Sequence, residues 1–115
     1  MKKILVVDDE KDIGLLMQLI LKSAEREVIY VSSLAEAKEA LLVNTFESVF
    51  LDLNLKGELG LDLVPLIKSQ NSTTHIFVIT AQKDQRLLDQ VEQAEVQQLI
   101  EKPLTRDKIF EAIQL

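Results

Sequence analysis

Cysteine is absent from the 115 residues, which excludes a disulfide framework and any thiolate metal site. Aromatic residues are scarce, 4% against 47% hydrophobic residues, so the core is expected to be aliphatic, built from Leu, Ile and Val. Basic residues are outnumbered, 13 Lys and Arg against 19 Asp and Glu, for a formal charge of −6. That balance argues against direct nucleic-acid binding and against anionic membrane surfaces. No segment approaches the roughly 20 apolar residues that a bilayer span needs. Met1-Lys2-Lys3 is basic, but the apolar run behind it ends at Asp8 and no small-residue cleavage site follows, so no signal peptide is expected. Linkers, repeats and low-complexity tracts are also missing. What remains is a soluble cytoplasmic chain forming one domain over residues 1–115, long enough to bury a core.

Short apolar runs alternate with helical patterns, as in βαβ units that build a parallel sheet. Strands are predicted at Lys3–Val7, Glu27–Val31, Ser48–Leu51, Ile76–Thr80 and Gln98–Glu101. Ile13, Leu16, Met17 and Ile20 form one helical stripe, and Leu15 and Leu19, like Met17, are assigned to helix packing. Ser33 with Glu36 three residues on predicts a capping box that opens a second helix before Ala37 and Leu41. A third helix is expected over about Gly60–Ser69, starting late because Pro65 would remove a backbone bond from an earlier start. A fourth, Gln85–Glu92, is mostly polar and weakly amphipathic. A fifth, Arg106–Leu115, would bury Ile109, Phe110 and Ile113. Five strands each followed by a helix predict an α/β fold, a doubly wound (βα)5 three-layer sandwich with a parallel sheet of order 2-1-3-4-5.

Asp8 and Asp9 directly follow the first apolar run, Asp52 follows the third, Thr80 ends the fourth strand and Lys102 follows the fifth. In the predicted order the chain reverses direction between strands 1 and 3, so the acids fall at the switch point where open α/β sheets bind ligands. Three carboxylates within a few ångströms repel by roughly 3 kcal/mol per pair at an effective dielectric near 20. Such a cluster asks for a cation, and an all-oxygen set suits Mg²⁺ rather than zinc. Two direct carboxylates and one backbone carbonyl would be enough protein for a metal that keeps several waters. Lys102 supplies a mobile positive charge and Thr80 a hydroxyl donor, so the edge could surround a phosphoryl group. Asp52, between the metal and Lys102, is then the natural oxygen nucleophile. Taken singly, Asp-Asp is an ordinary turn or cap and Lys-Pro an ordinary turn. Their convergence on one edge carries the reading.

With these motifs the chain resembles the receiver domain of bacterial two-component response regulators, including the stand-alone chemotaxis type. The resemblance rests on Lys3-Ile4-Leu5-Val6-Val7-Asp8-Asp9-Glu10, on Val49-Phe50-Leu51-Asp52-Leu53-Asn54 with Gly60 following, on Val78-Ile79-Thr80-Ala81, and on Lys102-Pro103. It implies the flavodoxin-like fold and a phosphorylation-dependent switch, not a conventional enzyme. Asp52 would accept a phosphoryl group from a histidine kinase, a phosphotransfer protein or a small phosphodonor. Asp9 would ligate Mg²⁺ directly, Asp8 mainly through a water, and the Asn54 carbonyl would be the third protein ligand. Thr80 would move toward the phosphoryl group, Lys102 would pair with it, and the Lys102-Pro103 bond would be cis. Asn54 and Gln82 match positions that tune dephosphorylation. The output would be a target protein or effector domain, or a homodimer, through the fourth helix, fifth strand and fifth helix. Three positions depart from the family pattern: Leu99 replaces the usual switch aromatic, Lys56 a frequent Pro, and Glu95-Val96 a common Gly-Ala.

Other residues and functions are weighed against this reading. His75, the only histidine, lies roughly 16 Å from the site at 3.3 Å per strand residue and reads as a solvated loop residue. Phe46 and Phe50 read as core, Glu10, Lys11 and Asp12 as first-turn helix residues, with Glu10 also able to add charge near the metal, and Glu92 and Glu95 as a solvated face. An aspartate-nucleophile phosphatase would need Asp-x-Asp after the first strand and a substrate cap, and neither is present. A flavodoxin-like nucleotide site would need a Ser/Thr/Gly-rich loop where Asp8-Asp9-Glu10 stands. The nearest alternative is a docking module on the same fold that works without phosphorylation. Kinase, stimulus and output are not encoded in these motifs, and the chain could be a stand-alone regulator or the receiver piece of a longer protein.

Overall fold

The computed structural model describes residues 2–81 and 84–113. The strands of its main sheet are β1 (Lys2–Val7), β2 (Arg26–Val31), β3 (Ser48–Asp52), β4 (His75–Thr80) and β5 (Gln98–Glu101). All pair in parallel, in the order β2-β1-β3-β4-β5. Helices α1 (Lys11–Leu21), α2 (Leu34–Val43), α3 (Val64–Gln70), α4 (Gln85–Gln93) and α5 (Arg106–Ile113) follow them in turn. The doubly wound sandwich is as expected. Helices α2, α3 and α4 cover one face of the sheet, and α1 and α5 cover the other. Because both faces are covered, β1, β3 and β4 are buried at nearly every residue and read as continuous apolar runs.

The core is less purely aliphatic than composition implies. Phe46, Phe50 and Phe77 are fully buried, and Phe50 stacks on its register partner Phe77 at 4.8 Å between ring centroids. In α1, Met17 and Ile20 are buried as predicted, while Leu15 and Leu19 are 61% and 78% exposed, contrary to expectation. At about 100° per residue they lie opposite the Ile13–Ile20 stripe and cannot share its packing. In α5, Ile109 and Ala112 are buried and Phe110 and Ile113 only half-buried. The last two residues of the predicted α5 lie outside the described residues.

Local signals act largely as expected. The Ser33 hydroxyl caps α2 by accepting from the Glu36 amide at 3.2 Å. The Glu36 carboxylate bonds back to the Ser32 amide at 2.7 Å, one residue earlier than a standard box. That contact holds its carboxyl below the usual range. Gly60–Leu63 forms a 3₁₀ turn and α3 starts only at Val64, which places Pro65 in the first turn where its missing N–H costs nothing. α4, contrary to the expectation of a weakly amphipathic helix, is clearly amphipathic, with Val91 buried and Leu87 half-buried on the core.

Candidate functional site

The register of the sheet brings the site together. Val7 pairs with Leu51, Asp52 with Ile79, and Thr80 with Glu101, so the residues at and just beyond these pairs converge at the carboxyl-terminal edge. Asp8, Asp52 and Thr80 are all buried there, and the Lys102 amide is held by the Thr80 carbonyl at 2.8 Å. The Lys102-Pro103 bond is cis. An open cavity of about 400 Å³ lies over this edge, walled by Asp9, Glu10, Asp52, Asn54, Thr80 and Lys102 among others. Asp8 lies beneath it, fully buried. All six predicted site residues are therefore at one place.

Lys102 is the hub. Its ammonium lies 3.2 Å from Asp52 Oδ2, 3.3 Å from Asp8 Oδ2 and 2.9 Å from Glu10 Oε1. Burial alone would lower its pKa. The hydrogen bond to Glu10 and the charges of Asp52 and Asp8 outweigh that and raise it, so the side chain stays an ammonium. Asp52 Oδ1 accepts from the Asn54 amide at 3.0 Å, leaving Oδ2 on the Lys102 side.

Asp8 is held differently. Its Oδ1 accepts from the Glu10 amide at 2.8 Å, whereas Oδ2 is buried without a hydrogen bond. The Lys102 ammonium is near it in ion-pair distance but not in hydrogen-bonding geometry. Burial is the main reason the Asp8 carboxyl is pushed from an ordinary 3.8 up to about 6, with the Asp52 charge adding to it and the Glu10 amide and Lys102 opposing it. Carboxylate oxygens of Asp8, Asp9, Glu10 and Asp52 can all lie within 4.8 Å of one another. One ammonium among four carboxylates leaves an excess of negative charge, and a buried oxygen without a hydrogen bond is the place where a cation would relieve it. The donor set is all oxygen and fits a hard divalent ion.

Gly60 closes the site from below. A Cβ at this position would collide with the Asp52 carbonyl oxygen, and the Gly60 amide bonds the Leu53 carbonyl at 2.9 Å. Between them the chain forms a hairpin, Asn54–Leu55 against Glu58–Leu59. Its two-residue turn, Lys56-Gly57, has φ of 39° and 85°, both positive as a type I′ turn requires. Proline, locked near −65°, cannot occupy position 56 in this turn, which accounts for one departure from the family pattern. Sequence reasoning missed this hairpin because Lys-Gly is a weaker signal than the Asn-Gly or Asp-Gly pairs that usually mark such turns. It read Glu10 as a helix residue that could also add charge near the metal; the carboxylate is indeed at the site, but its contact with Lys102 at 2.9 Å was not foreseen. Gln82 lies outside the described residues. His75 is not the solvated loop residue expected: it opens β4 at the opposite edge, half-buried and edge-on to Phe77 at 6.4 Å, and takes no part in the site.

A family model for the response regulator receiver domain matches residues 4–114. The chain belongs to the response regulator receiver family. It is 32% identical over 113 residues to the sensory transduction protein LytR of Staphylococcus epidermidis, covering 96% of this chain and 44% of that protein. It is 36% identical over 84 residues to the response regulator ArlR of Staphylococcus saprophyticus, covering 73% and 38%. The chain thus spans less than half the length of these relatives. Among solved structures it superposes on a CheY-like receiver domain of Methanospirillum hungatei with a TM-score of 0.90 at 21% identity, covering 98% of this chain and 90% of the other. A Burkholderia pseudomallei response regulator with a phosphorylated aspartic acid and a calcium ion gives 0.89 at 23%, covering 99% and 67%. At these identities the likeness shows the fold. Receiver domains are signalling switches of two-component systems rather than conventional enzymes. No helix among the described residues is long and apolar enough to cross a membrane.

Proposed function

We propose that this chain is a phosphorylation-controlled switch that accepts a phosphoryl group on Asp52 from a histidine kinase or phosphotransfer protein, with Mg²⁺ bound beside it. The observation that carries the reading is the placement of the Asp52 carboxylate, buried, 3.2 Å from the Lys102 ammonium and on the wall of an open cavity shared with Thr80. A carboxylate oxygen of Asp52 attacks phosphorus, the bond to the donor imidazole breaks, and the imidazole leaves with a proton from solvent. Lys102 neutralises the incoming charge and Thr80 offers a hydroxyl to a phosphoryl oxygen, which is most of what this chemistry requires. Asp8, Asp9, Asp52 and the Asn54 carbonyl would hold the cation, which supplies further neutralisation of the phosphoryl oxygens when bound. The solved Burkholderia relative, with its phosphorylated aspartic acid and calcium, supports this choice of residue type and ion class.

The output would be a shift between two states of the α4–β5–α5 face, read by a target protein, an effector domain or a second copy. Leu99 on β5 is half-buried against the apolar side chains of the α4 side. It packs as an aliphatic residue where an aromatic is common, so the readout differs in detail from relatives that carry one. Incubation with Mg²⁺ and acetyl phosphate, followed by intact-mass measurement, tests the proposal. Wild type is expected to gain one phosphoryl group and Asp52→Asn none. Incorporation that persists in the variant would remove Asp52 from its role. No incorporation in wild type, from either acetyl phosphate or a cognate kinase, would favour a docking module that works without phosphorylation.

A further inference from the structure

Tyr30 lies in β2, beside the acid-bearing strand, and its sequence context gives no hint of a link to the site. Its hydroxyl donates to the backbone carbonyl of Asp8 at 2.7 Å, across 22 positions of chain. The ladder between β1 and β2 ends at Val7 and Val31, so the Asp8 carbonyl lies beyond the strand pairing and has no ladder partner there. The Tyr30 ring reaches it by lying against α1 at Gly14. A Cβ on Gly14 would stand 2.6–2.8 Å from three ring carbons, nearer than non-bonded carbons approach. The helix has room for the ring only because residue 14 has no side chain.

Two further atoms of Asp8 are held as well. Its amide donates to the Val31 carbonyl at 3.2 Å and its Oδ1 accepts from the Glu10 amide at 2.8 Å. With the Tyr30 hydroxyl on the carbonyl, three of its four polar atoms are anchored. The fourth, Oδ2, is the buried oxygen without a hydrogen bond. We infer that Tyr30 is a positioning residue that, with Gly14, pins the Asp8-Asp9 turn so that its carboxylates are set for a divalent cation before one binds. This rests on the reading of the acid cluster as a cation site. Rigid ligand placement matters because Mg²⁺ demands near-ideal octahedral geometry, and outer contacts that orient ligands are worth much of a site's affinity.

Calorimetric titration of the protein with Mg²⁺ tests this on the full chain. Tyr30→Phe keeps the ring on Gly14 and deletes only the hydroxyl, and it is expected to weaken Mg²⁺ binding roughly tenfold. Gly14→Ala, which displaces the ring, is expected to weaken it in the same direction. Ile29→Val, on the same strand but facing the other side of the sheet, controls for mere loss of stability and is expected to bind Mg²⁺ as wild type does. Binding by Tyr30→Phe within about twofold of wild type, or an equal loss in Ile29→Val, would overturn the inference. Wild type that binds no Mg²⁺ would overturn the cation reading first and the inference with it.

Discussion

The two edges of the sheet are built from similar residue types and are satisfied in opposite ways. At the amino-terminal edge several polar side chains meet partners of their own. Lys3 donates to Asn44 at 2.8 Å, the Thr74 hydroxyl to the Phe46 carbonyl at 2.6 Å, and Lys68 to the last carbonyls of the α4 end, Ala94 and Glu95, at 2.9 and 3.1 Å. Lys2 pairs with Glu47 at 3.6 Å in the open. At the carboxyl-terminal edge three of four clustered carboxylates share one ammonium, and a buried oxygen of Asp8 has no hydrogen bond. The first edge closes the fold. The second keeps charge unbalanced in a buried place, an arrangement that lowers stability until something binds.

The largest effect that would sharpen this contrast is expected from Asp8→Asn. Because the native carboxyl is held up to about 6 rather than 3.8, its ionised form is disfavoured in the fold by about 2–3 kcal/mol. Below pH 4 the group is protonated in both folded and unfolded chains and costs nothing. As pH rises through 6 it ionises in the fold and that stability is lost. In EDTA, urea unfolding is expected to show Asp8→Asn more stable than wild type by about 2–3 kcal/mol above pH 7, with the gain vanishing toward pH 4. Added Mg²⁺ is expected to stabilise wild type and leave the variant unmoved. A variant less stable than wild type at pH 7.5 would break the comparison.

A smaller gain is expected at the opposite edge. Glu95, where the family often has Gly, adopts φ of 57° after α4, the left-handed conformation that suits Gly at a helix end. Glu95→Gly is expected to stabilise by about 0.5–1 kcal/mol, the relief of a left-handed side chain less the added freedom of the unfolded chain. Unlike the Asp8 effect it should not depend on pH between 4 and 8 or on Mg²⁺. Thermal unfolding at several pH values checks both points. Smallest of all, Lys2→Gln removes an exposed ion pair and is expected to change stability by under about 0.5 kcal/mol. A larger loss would mean that the amino-terminal edge depends on its exposed ion pair and not mainly on its hydrogen bonds and burial.

The fold was legible because strand and helix periodicities are local. Ile4–Val7 and Val49–Leu51 are continuous apolar runs, which in a chain with intervening helices means strands covered on both faces. Site residues were legible because each ends one of those runs, and parallel pairing carries the run ends to one edge. Less was legible where the outcome depends on the far side of a contact. Leu15 and Leu19 have core-forming side chains, but helix phase turns them outward. Glu10 begins α1 as a capping residue, yet its carboxylate bonds Lys102, 92 positions away. Lys56 looked only like a missing proline until the hairpin register gave it a positive φ.

The order of apolar runs, helical stripes and run-ending acids determined by itself the parallel sheet, its switch point and the gathering of Asp8, Asp9, Asp52, Thr80 and Lys102, because backbone pairing and burial repeat with periods that local sequence displays. Tertiary structure alone decided how those groups are shared: which oxygen of Asp8 is left without a donor, which carboxylates Lys102 reaches, and that the Tyr30 hydroxyl closes on the Asp8 carbonyl. These depend on side-chain reach between residues distant in the chain and on a space left open by Gly14, and no local pattern carries that information.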